Sequence, residues 1–131
     1  SGKPATLFKS HNPKYEDGGQ LRDFIWIDDC VSVVLWFLEN PDISGLFNCG
    51  TGNARSFLDL VKAVYLAMEK EPNINFIPTP EELRDKYQYF TQANMSKLKT
   101  AGYKKPFTTL EEGIDKYIRY YLNSDDKYRT P

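Results

Sequence analysis

A single histidine, two cysteines and no long apolar run remove several kinds of chemistry from this 131-residue chain. With His11 alone, a histidine-based metal site or a Cys/His nucleophile pair lacks its parts. Cys30 and Cys49 each lie in an apolar segment, far from any second ligand pattern. They read as two buried free thiols, which suits a reducing cytosol better than a disulfide. The longest apolar stretch, residues 31–38, is interrupted by Ser32 and falls short of the roughly 20 residues of a membrane span. No signal peptide or targeting motif is read, so the expected location is the cytoplasm. A charge excess of one sign is lacking too. The net charge is -1 with acids and bases interspersed, and no basic stripe argues for nucleic acid.

Two further absences concern cofactor and acid/base chemistry. No phosphate-cradling glycine loop opens the chain. Gly50-Thr51-Gly52 precedes a helix, but the dinucleotide fingerprint needs a glycine where Arg55 stands. It also needs an acidic residue about twenty positions on, at the end of a second strand, and that is absent. The motif therefore reads as a tight turn. The Tyr-x-x-x-Lys pairing, in which lysine lowers the hydroxyl's pKa, is also missing. Tyr65 is followed by Glu69, Tyr87 by Thr91, Tyr103 by Phe107 and Tyr117 by Tyr121.

What is present is a core's worth of apolar residues, 40% hydrophobic and 15% aromatic, in one domain's length. After a short strand at 5–8 comes a loop punctuated by Pro13, Gly18 and Gly19. Residues 22–27 form a continuous apolar run, predicted as a strand covered on both faces. Asp28 or Asp29 is expected to cap a helix bearing Val31, Val34, Leu35 and Leu38 at helical spacing. A second strand is expected at 46–49. Ser56 caps a helix with Phe57, Leu60, Val61, Val64 and Met68 as its stripe, and a third strand follows at 75–77. A short turn at 81–86 and a helix capped by Asn94 and ended by Gly102 come next. Thr109 and Glu112 have capping-box spacing for a last helix, a spacing Thr108 and Glu111 share, with Leu110, Ile114, Tyr117, Ile118 and Tyr121 inward. Residues 124–131 read as a frayed, charged tail. Alternating strands and helices predict an α/β fold with some parallel pairing. So small a sheet is expected to pack against more protein, which makes the chain read as a half-domain.

Arg22 is the first candidate for ligand chemistry. An arginine at a strand end can meet a phosphate with two parallel N–H donors. The competing reading is a surface pair with Asp23 or Asp17, worth little. Phe8, Lys9, Ser10 and His11 enter the glycine-rich loop and offer an aromatic face with donors for sugar or phosphate oxygens; an ordinary loop is the alternative. Tyr87 could place its hydroxyl on a phosphate or its ring on a base. Alternatively, the aromatics of 87–91 fill the core, with Tyr87 and Tyr89 pointing the same way.

Three segments, taken in order, resemble the landmarks of extended short-chain dehydrogenase/reductases of the nucleotide-sugar epimerase type. They are Arg22-Asp23-Phe24-Ile25-Trp26-Ile27-Asp28-Asp29, Phe47-Asn48-Cys49-Gly50-Thr51-Gly52 and Leu110-Glu111-Glu112-Gly113-Ile114. Within that family, Leu35-Trp36-Phe37-Leu38-Glu39-Asn40, Lys86-Tyr87-Gln88-Tyr89-Phe90-Thr91-Gln92-Ala93 and Ala101-Gly102-Tyr103-Lys104-Lys105-Pro106-Phe107 resemble the ADP-heptose 6-epimerases. The resemblance implies the C-terminal, substrate-binding portion of a Rossmann-type fold over 1–131, with the cofactor-binding half absent. It implies a cytoplasmic, homo-oligomeric isomerase of lipopolysaccharide core synthesis. Such an enzyme inverts C6 of ADP-heptose through a transient ketone, with tightly bound NADP. The catalytic tyrosine and lysine lie upstream in such proteins, so no catalytic residue is assigned and the fragment alone is expected to be inactive. Carried over onto matching positions, Arg22 grips the diphosphate and Tyr87 contacts the same ligand. Phe8, Lys9, Ser10 and His11 line the substrate, although other members carry Phe-x-Gly-Ser there, so Ser10 and His11 depart from the pattern. Another nucleotide-sugar epimerase or dehydratase, or a non-catalytic binding module on this fold, are the alternative readings.

Overall fold

The structure, a computed structural model, describes residues 2–123. The expected tail at 124–131 lies outside the described residues. Two small sheets organise the chain. Strand β1 (Ala5–Phe8) pairs in parallel with β4 (Ile74–Ile77), in the register Ala5 to Ile74 and Phe8 to Ile77. Strands β2 (Leu21–Arg22) and β3 (Arg55–Ser56) pair antiparallel, and Leu21 also bridges to Phe90. Between them run α1 (Ile27–Glu39), α2 (Phe57–Ala67), α3 (Glu81–Arg84), α4 (Ser96–Ala101) and α5 (Leu110–Tyr117), the last continued by a π-helical stretch over Ile118–Leu122. The α/β class and the parallel pairing follow the sequence reading.

Helix boundaries set by local chemistry sit where the sequence puts them. Ser56 accepts from the Asp59 amide while Asp59 reaches back to the Ser56 amide, closing a capping box on α2. Thr109 and Glu112 do the same for α5. Gly102 ends α4 at φ 117, a conformation that side chains resist. The cap of α4 is Met95, one residue after the expected Asn94, which still contributes by accepting from the Ser96 amide.

Four expectations are corrected. Ladder pairing in 22–27 stops at Arg22, because the next residue ties to three loop amides through its side chain, as described below. The remaining apolar residues pack instead; Phe24 meets Phe57 edge-on with ring centroids 5.6 Å apart. Residues 46–49 form no strand, because no described strand lies alongside to share a ladder. Phe47 packs against Phe37 and Leu46 is exposed. Helix α1 starts with Trp26 as its cap, without a side-chain bond. Asp28 accepts from the Trp26 indole, and Asp29 accepts from both the amide and the hydroxyl of Thr108, anchoring the approach to α5. Finally, the cysteines are not buried: Cys30 is half-buried and Cys49 exposed.

The main core gathers Val33 of α1, Met95 and Leu98 around α4, and Tyr103, with Trp36, Phe37, Phe47, Ala93 and Phe107 packed against it. Helix α2 packs on α5, where Gly113 is buried with Trp26 above its Cα. Of the inward face expected for the last helix, Ile118 is buried while Tyr117 is exposed. Ile27, Val31, Val34, Leu35 and Leu38 leave one apolar stripe of α1 exposed.

Candidate ligand-binding site

The end of β1 and the side of β2 bring the sequence candidates together. Beyond Phe8 the parallel ladder continues for one bond, the Lys9 amide donating to the Ile77 carbonyl at 2.7 Å. Thr79, buried, donates its hydroxyl to the Lys9 carbonyl. Lys9 thus enters the site through its backbone. The chain then turns: the Ser10 amide donates to Asp17, and the Ser10 hydroxyl to the Asn12 carbonyl. On the other side, residues 87–91 run beside β2, with Leu21 donating to the Tyr89 carbonyl and Thr91 donating to the Leu21 carbonyl.

Tyr87 is where these segments meet. Its ring lies edge-on to Phe8 at 6.3 Å and to His11 at 6.1 Å. Tyr89 is 5.4 Å away on the same side, as the alternation predicts. The Arg22 guanidinium sits 5.8 Å from the ring centroids of both Tyr87 and Phe57. Its Nη1 donates to the Leu21 carbonyl at 2.7 Å and its Nη2 to the Gln88 carbonyl. A cavity of about 220 Å³ opens between Phe57 and Tyr87, lined also by Thr6, Leu7, Phe8 and the buried Gln20.

The surface-pair reading of Arg22 fails on geometry. Asp17 is used by Ser10. Asp23 accepts four hydrogen bonds, from the amides of Thr51, Gly52 and Ala93 and from the Thr51 hydroxyl. Burial pushes its carboxyl up, but these bonds outweigh it and the pKa ends below the ordinary value. Among the described residues, none of the ion pairs involves Arg22. Two carbonyls hold its plane, and the remaining N–H groups of the fork are available to an anion.

The same Asp23 decides what the Gly50-Thr51-Gly52 turn does. Gly52 at φ +73 lets consecutive amides converge as in an anion-binding nest. The anion in it is the chain's own carboxylate. A Cβ on Gly50 would stand 2.5 Å from Ala93 Cβ and 2.7 Å from Asp23 Oδ2, so only glycine lets this turn approach. The described residues therefore offer no pyrophosphate cradle for a dinucleotide here, and the tight-turn reading holds.

Sequence reasoning passed over Asp23, Phe57, Gln88 and Tyr89. Only Tyr89 had a usable signal, its alternation with Tyr87.

No family model matches the chain. The ADP-L-glycero-D-manno-heptose-6-epimerase of Nitratidesulfovibrio vulgaris (strain DP4) is 53% identical over 122 residues, 93% of this chain and 38% of that protein. The chain thus spans well under half the length of the curated relative it matches. Among solved structures, the Helicobacter pylori ADP-L-glycero-D-manno-heptose-6-epimerase superposes with a TM-score of 0.69 at 25% identity, over 88% of this chain and 32% of that one. The Thermus thermophilus UDP-glucose 4-epimerase, solved with NAD, gives 0.68 at 26% identity over 87% and 34%. This chain has the fold of the C-terminal part of the extended short-chain dehydrogenase/reductases, and in sequence it is similar to their ADP-L-glycero-D-manno-heptose-6-epimerases.

Proposed function

We propose that these residues are the sugar-nucleotide grip of an ADP-heptose 6-epimerase, with Arg22 on the diphosphate. The observation that carries this is a guanidinium with no carboxylate partner among the described residues, framed by Phe57 and Tyr87 where Phe8 and His11 converge. Guanidinium and diphosphate match as fork and bidentate acceptor. Ring faces beside the cation suit a base or sugar. The imidazole of His11 contributes a wall rather than a base, since both its nitrogens already have partners.

In this reading the whole protein inverts C6 of ADP-glycero-manno-heptose, in the cytoplasm, as a homo-oligomer, for lipopolysaccharide core synthesis. NADP, when bound, supplies the hydride chemistry. The described residues do not fit that cofactor, because the one nest-like turn is filled by Asp23. Cofactor and acid/base groups belong to residues outside this chain, and residues 1–131 alone are inactive. The test is calorimetric binding of ADP-heptose, UDP-glucose and GDP-mannose to the full-length protein and its Arg22→Ala variant. ADP-heptose should bind most tightly and weaken on substitution. Preference for a uridine sugar, or an unchanged Kd in the variant, overturns the reading.

A further inference from the structure

The Tyr89 hydroxyl is where the Ser10–His11 turn meets the 87–91 segment. It lies 2.8 Å from His11 Nδ1, accepts from the His11 amide at 2.8 Å and stands 3.3 Å from the Ser10 oxygen, whose one hydrogen goes to the Asn12 carbonyl. The other imidazole nitrogen, Nε2, stands 3.1 Å from the Arg84 carbonyl, which can only accept. The hydrogen of a neutral ring therefore sits on Nε2. Nδ1 is left as the acceptor, and the Tyr89 hydroxyl donates to it. The Tyr89 ring is itself held, tilted on Tyr15 with centroids 4.8 Å apart, and its carbonyl is tied to the Leu21 amide next to Arg22. One residue thus couples the backbone that carries Arg22 to the turn that carries Ser10 and His11.

We propose that Tyr89 is a positioning residue of this site: its hydroxyl holds the His11 ring and the Ser10–His11 backbone in the orientation that binds a nucleoside diphosphate. This rests on the reading of Arg22 as the diphosphate anchor. Phenylalanine at 89 keeps the ring contacts with Tyr15 and Tyr87 and removes only the hydroxyl. His11 then loses the donor to its Nδ1, and the turn loses the bond from the His11 amide.

The experiment uses the full-length protein with ADP as the probe. Tyr89→Phe should weaken ADP binding about three- to tenfold, the size of a neutral hydrogen bond. The double variant Tyr89→Phe/His11→Ala should lose less than the sum of the two single losses, because the imidazole contact is shared while the bond from the residue 11 amide is lost only with Tyr89. Nitrogen-15 spectra of the imidazole, assigned with His11→Ala, should show Nδ1 unprotonated in the parent protein, with its resonance shifted in Tyr89→Phe as the hydrogen bond to it is lost. An Arg22→Ala control separates the failures. If it weakens ADP binding while Tyr89→Phe does not, the Tyr89 proposal is overturned and the site stands. If Arg22→Ala leaves binding unchanged, the anchor reading falls and takes this proposal with it. Additive losses in the double variant, or a hydrogen on Nδ1 in the parent, overturn the proposal directly.

Discussion

Arg22 and Arg55 stand directly opposite each other in the β2–β3 pair, yet among the described residues only Arg55 has carboxylate partners. Arg55 is held at 2.7 Å by Glu111 and at 3.2 Å by Asp59, and Glu111 in particular raises its pKa further. Like charges placed opposite in a sheet disfavour pairing. The carboxylates relieve that cost on one side only and leave Arg22 without a carboxylate partner among the described residues.

That asymmetry makes substitutions at the two arginines separable. Arg22→Ala should weaken nucleoside-diphosphate binding by about 1.5–3 kcal/mol, one charge-assisted hydrogen bond, with little change in melting temperature. Arg22→Lys should recover only part of this, because lysine cannot form the bidentate fork. Arg55→Ala should leave ligand affinity close to the parent and cost at most about 1 kcal/mol of stability, its partners being partly exposed. Calorimetry with ADP and thermal unfolding read both. Equal affinity losses at the two positions would refute the division of labour.

Asp23 links pH to stability. Its folded pKa lies below the ordinary value of about 3.9, so its contribution is present above that value and is lost as pH falls through the folded pKa. Asp23→Asn should cost on the order of 2 kcal/mol at pH 7, where three amides and a hydroxyl lose their charged acceptor. The gap between parent and variant should narrow below about pH 4. Urea unfolding at pH 7 and pH 3 measures this, and a gap of constant size would refute it.

Gly50→Ala should reproduce much of the same loss by a different route. The added methyl would meet Ala93 and the Asp23 carboxylate below 3.0 Å, so the turn must shift and its bonds to Asp23 lengthen. We expect about 1–3 kcal/mol of destabilisation, the range for overpacking. Combined with Asp23→Asn the loss should be less than additive, since both act on one node. Full additivity in denaturant melts would place Gly50 outside it.

What the sequence revealed and what it hid divide along the range of the interactions. The caps at Ser56 and Thr109 and the stop at Gly102 depend on residues within a few positions, and all three were legible. Arg22, Tyr87, Phe8 and His11 were legible as chemistry, and the fold brings them together. The strand expected at 46–49 was not decidable locally, because a strand exists only where another strand lies beside it. Likewise nothing adjacent to Asp23 announces that its acceptors serve Thr51 and Ala93, 28 and 70 positions away. Tyr89 is 78 positions from His11, and only folding shows that its hydroxyl fills the imidazole's free nitrogen.

Cys49 offers a last test, on a residue whose burial the sequence misjudged. The residue is exposed, yet its thiol pKa is raised to about 11. Partial loss of water around the thiol is the largest cause, followed by neighbouring Cys30 and then the negative charges of Asp29 and Asp23. The thiolate is the reactive species, so exposure alone should not make this cysteine nucleophilic. Alkylation of Cys49 by iodoacetamide should be far slower at pH 7.5 than that of glutathione. Its rate should keep rising through pH 9 and 10, where an ordinary thiol has levelled off. Peptide mapping by mass spectrometry distinguishes it from Cys30. A rate at pH 7.5 matching glutathione would mean that desolvation and the neighbouring Cys30 do not raise this thiol.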